Sequence, residues 1–322
     1  MSRRLTPFVL ALPLALGGCG VGSSIAGVHD APAERSDGAS ITTTTATKVA
    51  SRVVGDVAGV SLAEDDTRLR KELLSGPALR EIEAVVTSKD VSGRSTATPK
   101  DLEVLAVSRG TDWPRAVLAT SRTGDVQHLH VLVAQSADRA YTLFADVPMA
   151  AGASVPALPP VEEGAAVKLS SAPEQDVTSA ANAWAKGVAF PASKKASKEV
   201  SVGDGFSKAL KKNAAKTKED LGDLGYYAQR QTVAKGETVS FELADGGAIT
   251  FLPMTRTDTI RATNKLKELK VREPALKYVL DASTVQRALS VKHVETLALV
   301  TPEQGKARVV GASEVVASAA GS

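Results

Sequence analysis

Cysteine is nearly absent from this chain. The 322 residues contain one, Cys19, so no disulfide can form within the chain and its stability has to come from packing. Aromatic residues are also scarce, at 4%, which argues against an extended stacking surface for nucleic acid or sugars. No charge sign dominates. The formal net charge is +3, and Arg3 and Arg4 carry two of those charges, leaving about +1 (3 − 2) beyond them; this is no nucleic-acid footprint. The apolar run Pro7 to Leu16 is about half the ~20 residues a membrane-spanning helix needs, and Pro13 interrupts it. Recognisable catalytic motifs are missing too. There is no Gly-x-Ser-x-Gly elbow, no His-Glu-x-x-His and no EF-hand loop, and Gly203-Asp204-Gly205 lacks the Lys-Ser/Thr ending and the preceding strand of a phosphate loop. No cofactor is implied.

What is present begins at the N-terminus. Two arginines, a short apolar run and small residues read as a cleaved export signal over 1–18. It ends in Leu16-Gly17-Gly18-Cys19, which resembles a bacterial lipobox. Small residues let a peptidase approach the backbone, and the thiol is the nucleophile that accepts a lipid. The expectation is a lipid anchor at Cys19, holding the protein on the extracytoplasmic face of the cell membrane. Residues 19–47, rich in Gly, Ser, Ala and Thr and ending in Thr42 to Thr45, read as a flexible tether.

A folded region then starts. Val49 to Val60 is weakly helical, and Asp65 to Val86 carries apolar stripes at Leu69/Leu73 and at Leu79/Ile82/Val86, with Ser75-Gly76-Pro77 predicting a break between two helices. The period next falls to two. Strands are predicted at Leu102 to Val107, Arg115 to Thr120, Val126 to Ala134 and Tyr141 to Val147, the last with Tyr141, Leu143, Ala145 and Val147 on one face and Phe144 opposite. Five prolines between Pro148 and Pro173 suggest a boundary, giving a first α+β domain at 48–155, a linker at 156–172 and a second α+β domain at 173–322. The second half repeats the order. Helical stripes appear over Pro173 to Gly187 and at Phe206, Leu210, Ala214 and Leu221. Strands follow around the turn Asp245-Gly246-Gly247, and Val291 to Val300 and Lys306 to Val316 flank a second hairpin turn. Pro253 is expected to bend the long strand it interrupts or to mark an edge. Trp113 and Trp184 are expected as core anchors. The fold class is α+β, two tandem domains, each with N-terminal helices on a curved antiparallel sheet.

Four short runs carry a family likeness: Ser75-Gly76-Pro77-Ala78-Leu79, Trp113-Pro114-Arg115, Leu143-Phe144-Ala145-Asp146-Val147-Pro148 and Leu243-Ala244-Asp245-Gly246-Gly247-Ala248. They resemble uncharacterised actinobacterial cell-envelope lipoproteins. The resemblance implies tandem domains similar to the NTF2-like or cystatin-like class, and it brings no activity and no catalytic residues.

Two constellations carry candidate chemistry. His128 and His130 fall on one side of a strand, so both imidazoles could reach one metal, with Asp125 or Asp146 as the further ligand; paired histidines on a sheet face also occur without metal, and no metal site is assigned. Eight lysines between Lys194 and Lys218, against four acids in the window extended to Asp220, give a local excess of about +4. Lys208, Lys211 and Lys212 are the residues expected to touch an anionic surface, although the solvated face of an amphipathic helix is the more common reading of such a run. The first functional reading is a non-enzymatic binding or scaffolding lipoprotein whose partner is an envelope protein, a wall polymer or a lipid. The second is an envelope small-ligand or lipid carrier, or an enzyme, using a pocket between helix and sheet. The third is a spacer in envelope assembly. A deep pocket with convergent polar groups and a perturbed titratable residue separates the second from the first.

Overall fold

A computed structural model of the chain describes residues 38–59, 66–89, 99–194 and 198–322. The expected export signal, Cys19 and residues 19–37 of the expected tether lie outside them. The elements are α1 (Thr43–Gly59), α2 (Thr67–Leu73), α3 (Gly76–Ser88), β1 (Lys100–Val107), β2 (Arg115–Thr123), β3 (Val126–Ala134), β4 (Thr142–Pro148) and β5 (Val167–Ser170). The second half continues with α4 (Gln175–Val188), β6 (Val200–Ser201), α5 (Gly205–Leu221), β7 (Gly225–Val233), β8 (Thr238–Glu242), β9 (Ala248–Ala262), β10 (Leu269–Lys270), α6 (Pro274–Leu280), β11 (Thr284–Val285), β12 (Ala288–Thr301) and β13 (Ala307–Gly321). The mixed α+β class with antiparallel sheets holds.

Among the described residues two main sheets and two helical layers make the architecture, with β10 and β11 pairing in a further two-stranded sheet. Strands β1-β2-β3-β4 form an antiparallel meander. A seven-stranded sheet runs β5-β8-β9-β12-β13-β6, with β7 on the same side of β9 as β8. Pro253 lies at the junction: β8 pairs with β9 as far as Phe251, and β7 takes over from Met254. A residue without an N–H costs no ladder bond where one neighbouring strand ends and the next begins. The longest ladder joins β9 and β12, and the hairpin β12–β13 carries the expected turn at 302–305.

Strand alternation explains how the layers stack. Leu118, Leu129, Val131 and Phe144 of the small sheet meet Phe241, Ile249, Phe251, Ala298 and Val300 of the large one in a single buried cluster. The opposite face of the small sheet, through Val117, Ala119 and Leu132, packs on Ala46, Ala50 and Val53 of α1 and Ala78 and Ile82 of α3. The opposite face of the large sheet, through Leu252, Met254, Leu297 and Leu299, packs on Val177, Ala181 and Trp184 of α4 and Leu210 of α5. The order is helices, sheet, sheet, helices. Each half has helices before a sheet, as its periodicities predict, and the two sheets share one core; residues 35–322 form one compact unit.

Several local expectations need correction. Helix α1 starts at Thr43, inside the stretch read as tether. Thr42 Oγ1 accepts the Thr45 N–H at 3.2 Å, so the threonines cap and open a helix whose Ala46 is fully buried. The stretch 156–172 contains β5, and its Leu158, Ala165, Val167 and Leu169 lie in or against the shared core. In β4 the register slips between Val131 and Leu132 of its partner strand, so Phe144 joins Ala145 and Val147 on the inter-sheet face while Leu143 turns to the helices. Trp184 is fully buried, as expected, and its Nε1 donates to Ser207 Oγ at 2.8 Å. Trp113 is 37% exposed, with the Arg115 guanidinium 4.5 Å from its ring. Asp204 of the Gly-Asp-Gly run caps α5, accepting from the Ser207 N–H at 2.8 Å.

Candidate functional site

The geometry of α3 creates the site. Ser75-Gly76-Pro77 ends one helical segment and begins the next, with Pro77 in the first turn, where its missing N–H is harmless. Gly76 has φ +50°, and a Cβ there would lie 2.3 Å from the Phe144 ring, so the turn sits flush against the core. From that start α3 packs on β4 and then runs over β12 and β13. Its apolar side (Ala78, Ile82, Val85) faces α1 and the small sheet, and Arg80 and Glu81 reach the large sheet.

Between α1, α3, the ends of β3 and β4, and β13 lies a cavity of about 340 Å³. Val54, Val57, Ile82, Val85, Leu143 and Phe206 supply most of its apolar wall. Glu81, Thr123, His128, His130, Asp146, Ser313 and Glu314 supply its polar groups. Five of the seven come from neighbouring positions on sheets: His130 stands opposite Asp146 on β4, and Ser313 and Glu314 are successive residues of β13.

The two histidines share a face, as period two requires, and their rings stack at 6.0 Å with 13° between planes. A carboxylate only accepts, so His128 Nδ1–H donates to Asp146 Oδ1 at 2.8 Å. His130 Nδ1 is 3.3 Å from the same oxygen without forming an aligned hydrogen bond, and its Nε2 is 2.7 Å from Ser121 Oγ. Burial lowers the His130 pKa, against the pull of Asp146, which favours the neutral imidazole. Of the two carboxylates considered as a further ligand, Asp146 joins the histidines, whereas Asp125 is exposed in the β2–β3 turn. Among the described residues no group of three or more His, Cys, Asp or Glu is arranged to hold a metal ion.

Ser121, His130 and Asp146 connect in the order of a hydrolase triad, yet Ser121 is 1% exposed and lies behind the cavity wall. A nucleophile that cannot meet a carbonyl carbon does not make an acyl-transfer site.

Glu81 is the residue periodicity misses. Its carboxyl end is enclosed, and Thr296 and Ser313 donate hydroxyls to Oε1, the latter at 2.5 Å. Burial pushes its pKa up to about 7, with Asp146 adding repulsion and the two hydroxyls and Arg80 opposing. Arg80 itself is held below its usual value by burial and donates to the Met254 carbonyl at 2.7 Å.

Through β12 and β13 a second polar cluster backs this one. Arg256 sits 3.2 Å from Asp258 and 3.4 Å from Glu295 and pairs with Glu314; Tyr227 O–H donates to Asp258 at 3.0 Å. Burial pushes Glu295 up to about 8, more than Arg256 offsets. Burial opposes the charge on Arg256, but Glu314, Glu295 and Asp258 outweigh it and raise its pKa. A signal for Glu295 exists in the sequence: it shares parity with Leu289, Val291, Leu297 and Leu299, the inward positions of β12.

Lys208, Lys211 and Lys212 are exposed on the solvent side of α5, away from the cavity wall. No helix among the described residues is long and apolar enough to cross a membrane.

The fold and site define an α+β protein with two packed sheets and a helix-roofed, acid-ended cavity. The family described as "Domain of unknown function (DUF8094)" matches residues 107–321, about two thirds of the chain, and the chain belongs to that family. The match takes in both sheets from the end of β1 onward and the His128–His130–Asp146 wall, whereas α1 and α3, with Glu81, precede it. No curated protein and no solved structure matches the chain.

Proposed function

We propose that this chain is an extracytoplasmic lipoprotein, anchored through Cys19, that binds a small ligand in the cavity between α1, α3 and the β3–β4 face. The observation that carries this reading is the cavity: apolar walls, seven polar residues from five elements, and an enclosed carboxyl at its floor. It favours a carrier over a flat interaction module, because the helix-facing surface of the small sheet is partly hollow. An enzymatic use of the same cavity has less support, since the one nucleophile–base pairing at the site buries the serine.

The anchoring part rests on Leu16-Gly17-Gly18-Cys19 and on Cys19 being the one cysteine. A relation of each half to the NTF2-like or cystatin-like class is part of the proposal, supported by helices preceding an antiparallel sheet in both. Lys208, Lys211 and Lys212 face solvent, as contact with an anionic lipid or wall polymer requires.

Fluorescence of the neutral apolar probe N-phenylnaphthylamine tests the cavity. The mature protein should enhance its emission with saturation at one site, and both Ala78→Trp and Ala58→Trp, which fill the cavity from α3 and from its rim on α1, should abolish the effect. Saturable enhancement that survives both substitutions places the probe elsewhere and refutes this reading. Cys19→Ala should release the protein from membranes; retention by the variant refutes the anchor.

A further inference from the structure

We propose that the cavity selects an amphipathic primary amine in its protonated form, the ammonium lodged among Glu81, Asp146 and His130 and the apolar arm lying along α1 and α3. This rests on the cavity being the binding site and goes on to name the ligand's chemistry.

Charge complementarity makes the first argument. Three carboxyls line the cavity, each from a different element: Glu81 from α3, Asp146 from β4 and Glu314 from β13. Among the described residues no lysine or arginine lines it. Among the described residues, the two guanidiniums of these clusters are already engaged, Arg80 on the Met254 carbonyl and Arg256 among Asp258, Glu295 and Glu314. Counting both clusters, two guanidiniums serve five carboxyls. An anionic headgroup would meet uncompensated repulsion here, and a neutral one would leave that repulsion unrelieved.

An independent observation concerns His130. The residue is 2% exposed and lines the cavity, and its Nδ1 makes no hydrogen bond. Nδ1 and Asp146 Oδ1, which already accepts from His128 Nδ1–H, stand 3.3 Å apart without alignment, so a donor placed beside them would meet the unbonded Nδ1 and a carboxylate oxygen together. With Nε2–H donating to Ser121 Oγ, Nδ1 presents a lone pair to the cavity. An alkylammonium carries three N–H donors and no acceptor, which suits a carboxylate on each side and this lone pair. A quaternary ammonium would match the charge and fail the hydrogen bonds.

Proton linkage follows from the same geometry. Glu81 is faced by Arg80 on its own helix, by Asp146, His128 and His130 from the small sheet, by the Thr296 and Ser313 hydroxyls, and by Glu314 and Glu295 of the large sheet. It is poised at about 7 in the empty cavity. A cation beside it favours the carboxylate, so binding at neutral pH releases a fraction of a proton.

The experiment uses the full mature chain and four probes sharing an eight-carbon arm, namely octylammonium, octyltrimethylammonium, octanol and octanoate, each titrated calorimetrically at neutral pH in buffers of low and high ionisation enthalpy. Octylammonium should bind about tenfold or more tighter than each of the others, as charge-assisted hydrogen bonds imply. Its heat should depend on the buffer, reporting proton release. Glu81→Gln should remove the buffer dependence and weaken octylammonium binding while leaving octanol binding unchanged; Asp146→Asn should weaken octylammonium binding in the same selective way. Octanol or octanoate binding as tightly as octylammonium overturns the amine assignment and leaves the cavity reading standing. Failure of all four probes to bind overturns both.

Discussion

The large sheet is covered differently along its length on the side facing the first half of the chain. Where β8, the start of β9, the end of β12 and the start of β13 meet the small sheet, the filling is Phe241, Ile249, Phe251, Ala298, Val300 and Val310, all fully buried and apolar. Farther along the same strands the small sheet gives way to α3, and the contact there is Arg80 on Met254 and Glu81 on Thr296 and Ser313. Sheet against sheet excludes water over a continuous plane and rewards apolar side chains. A helix laid over strands leaves a wedge at its side, and polar groups in that wedge find partners while remaining incompletely solvated. The first region holds the molecule together; the second holds a carboxyl, Glu81, whose pKa burial raises to about 7.

Substitutions can break this contrast. The largest losses should come from Phe251→Ala in the inter-sheet core, about 3–5 kcal/mol from lost transfer and a cavity, read as a lower denaturant midpoint at every pH. Arg256→Met should be comparably destabilising, about 3–5 kcal/mol, because it strands Asp258, Glu295 and Glu314. Its cost should shrink in acid, where those carboxyls are neutral, whereas that of Phe251→Ala should not; parallel pH profiles would erase the distinction between the two regions. Gly76→Ala should cost about 1–3 kcal/mol, since the new methyl meets Phe144 and the backbone is left-handed there; a neutral result would mean that the turn can move away from the core.

Titration sharpens the comparison. Glu295 and Glu81 are raised from 4.5 to about 8 and about 7. The folded state therefore binds more protons than the unfolded one across that window, and these groups make stability fall as pH rises from about 4.5 to about 8. Glu295→Gln should remove most of the decline close to pH 8, where Glu81, half-ionised at about 7, is largely ionised; a decline as steep there in the variant as in the parent assigns it to another group. The smallest stability effect, within about 0.5 kcal/mol, should come from Lys208→Gln, Lys211→Gln and Lys212→Gln together. That triple variant should nonetheless bind anionic vesicles more weakly than the parent, and unchanged vesicle binding would remove α5 from any surface contact.

Much of the element pattern was legible because it is local. The helix break at Ser75-Gly76-Pro77, the turn at Asp245-Gly246-Gly247 and the hairpin before Lys306 are short-range chemistry, and each sits where it was predicted. The His128/His130 pairing and Asp146 as their neighbour were also within reach, since alternation decides a shared face. Other features were hidden. The side on which Phe144 falls depends on a register slip against β3. The threonines that look like tether open a helix because Thr43 and Ala46 find partners far along the chain, at Glu162 and in the α1 core.

Taken alone, the residues determine the sequence of helices and strands, the absence of an internal disulfide, and the charge balance, because periodicity, turn chemistry and composition act over a few residues. Tertiary structure alone decides that the two sheets share one core and that Glu81, Asp146 and Glu314, far apart in the chain, line one cavity. Carboxyls become a site when burial strips their water and brings them within reach of one another, and that depends on which surfaces meet.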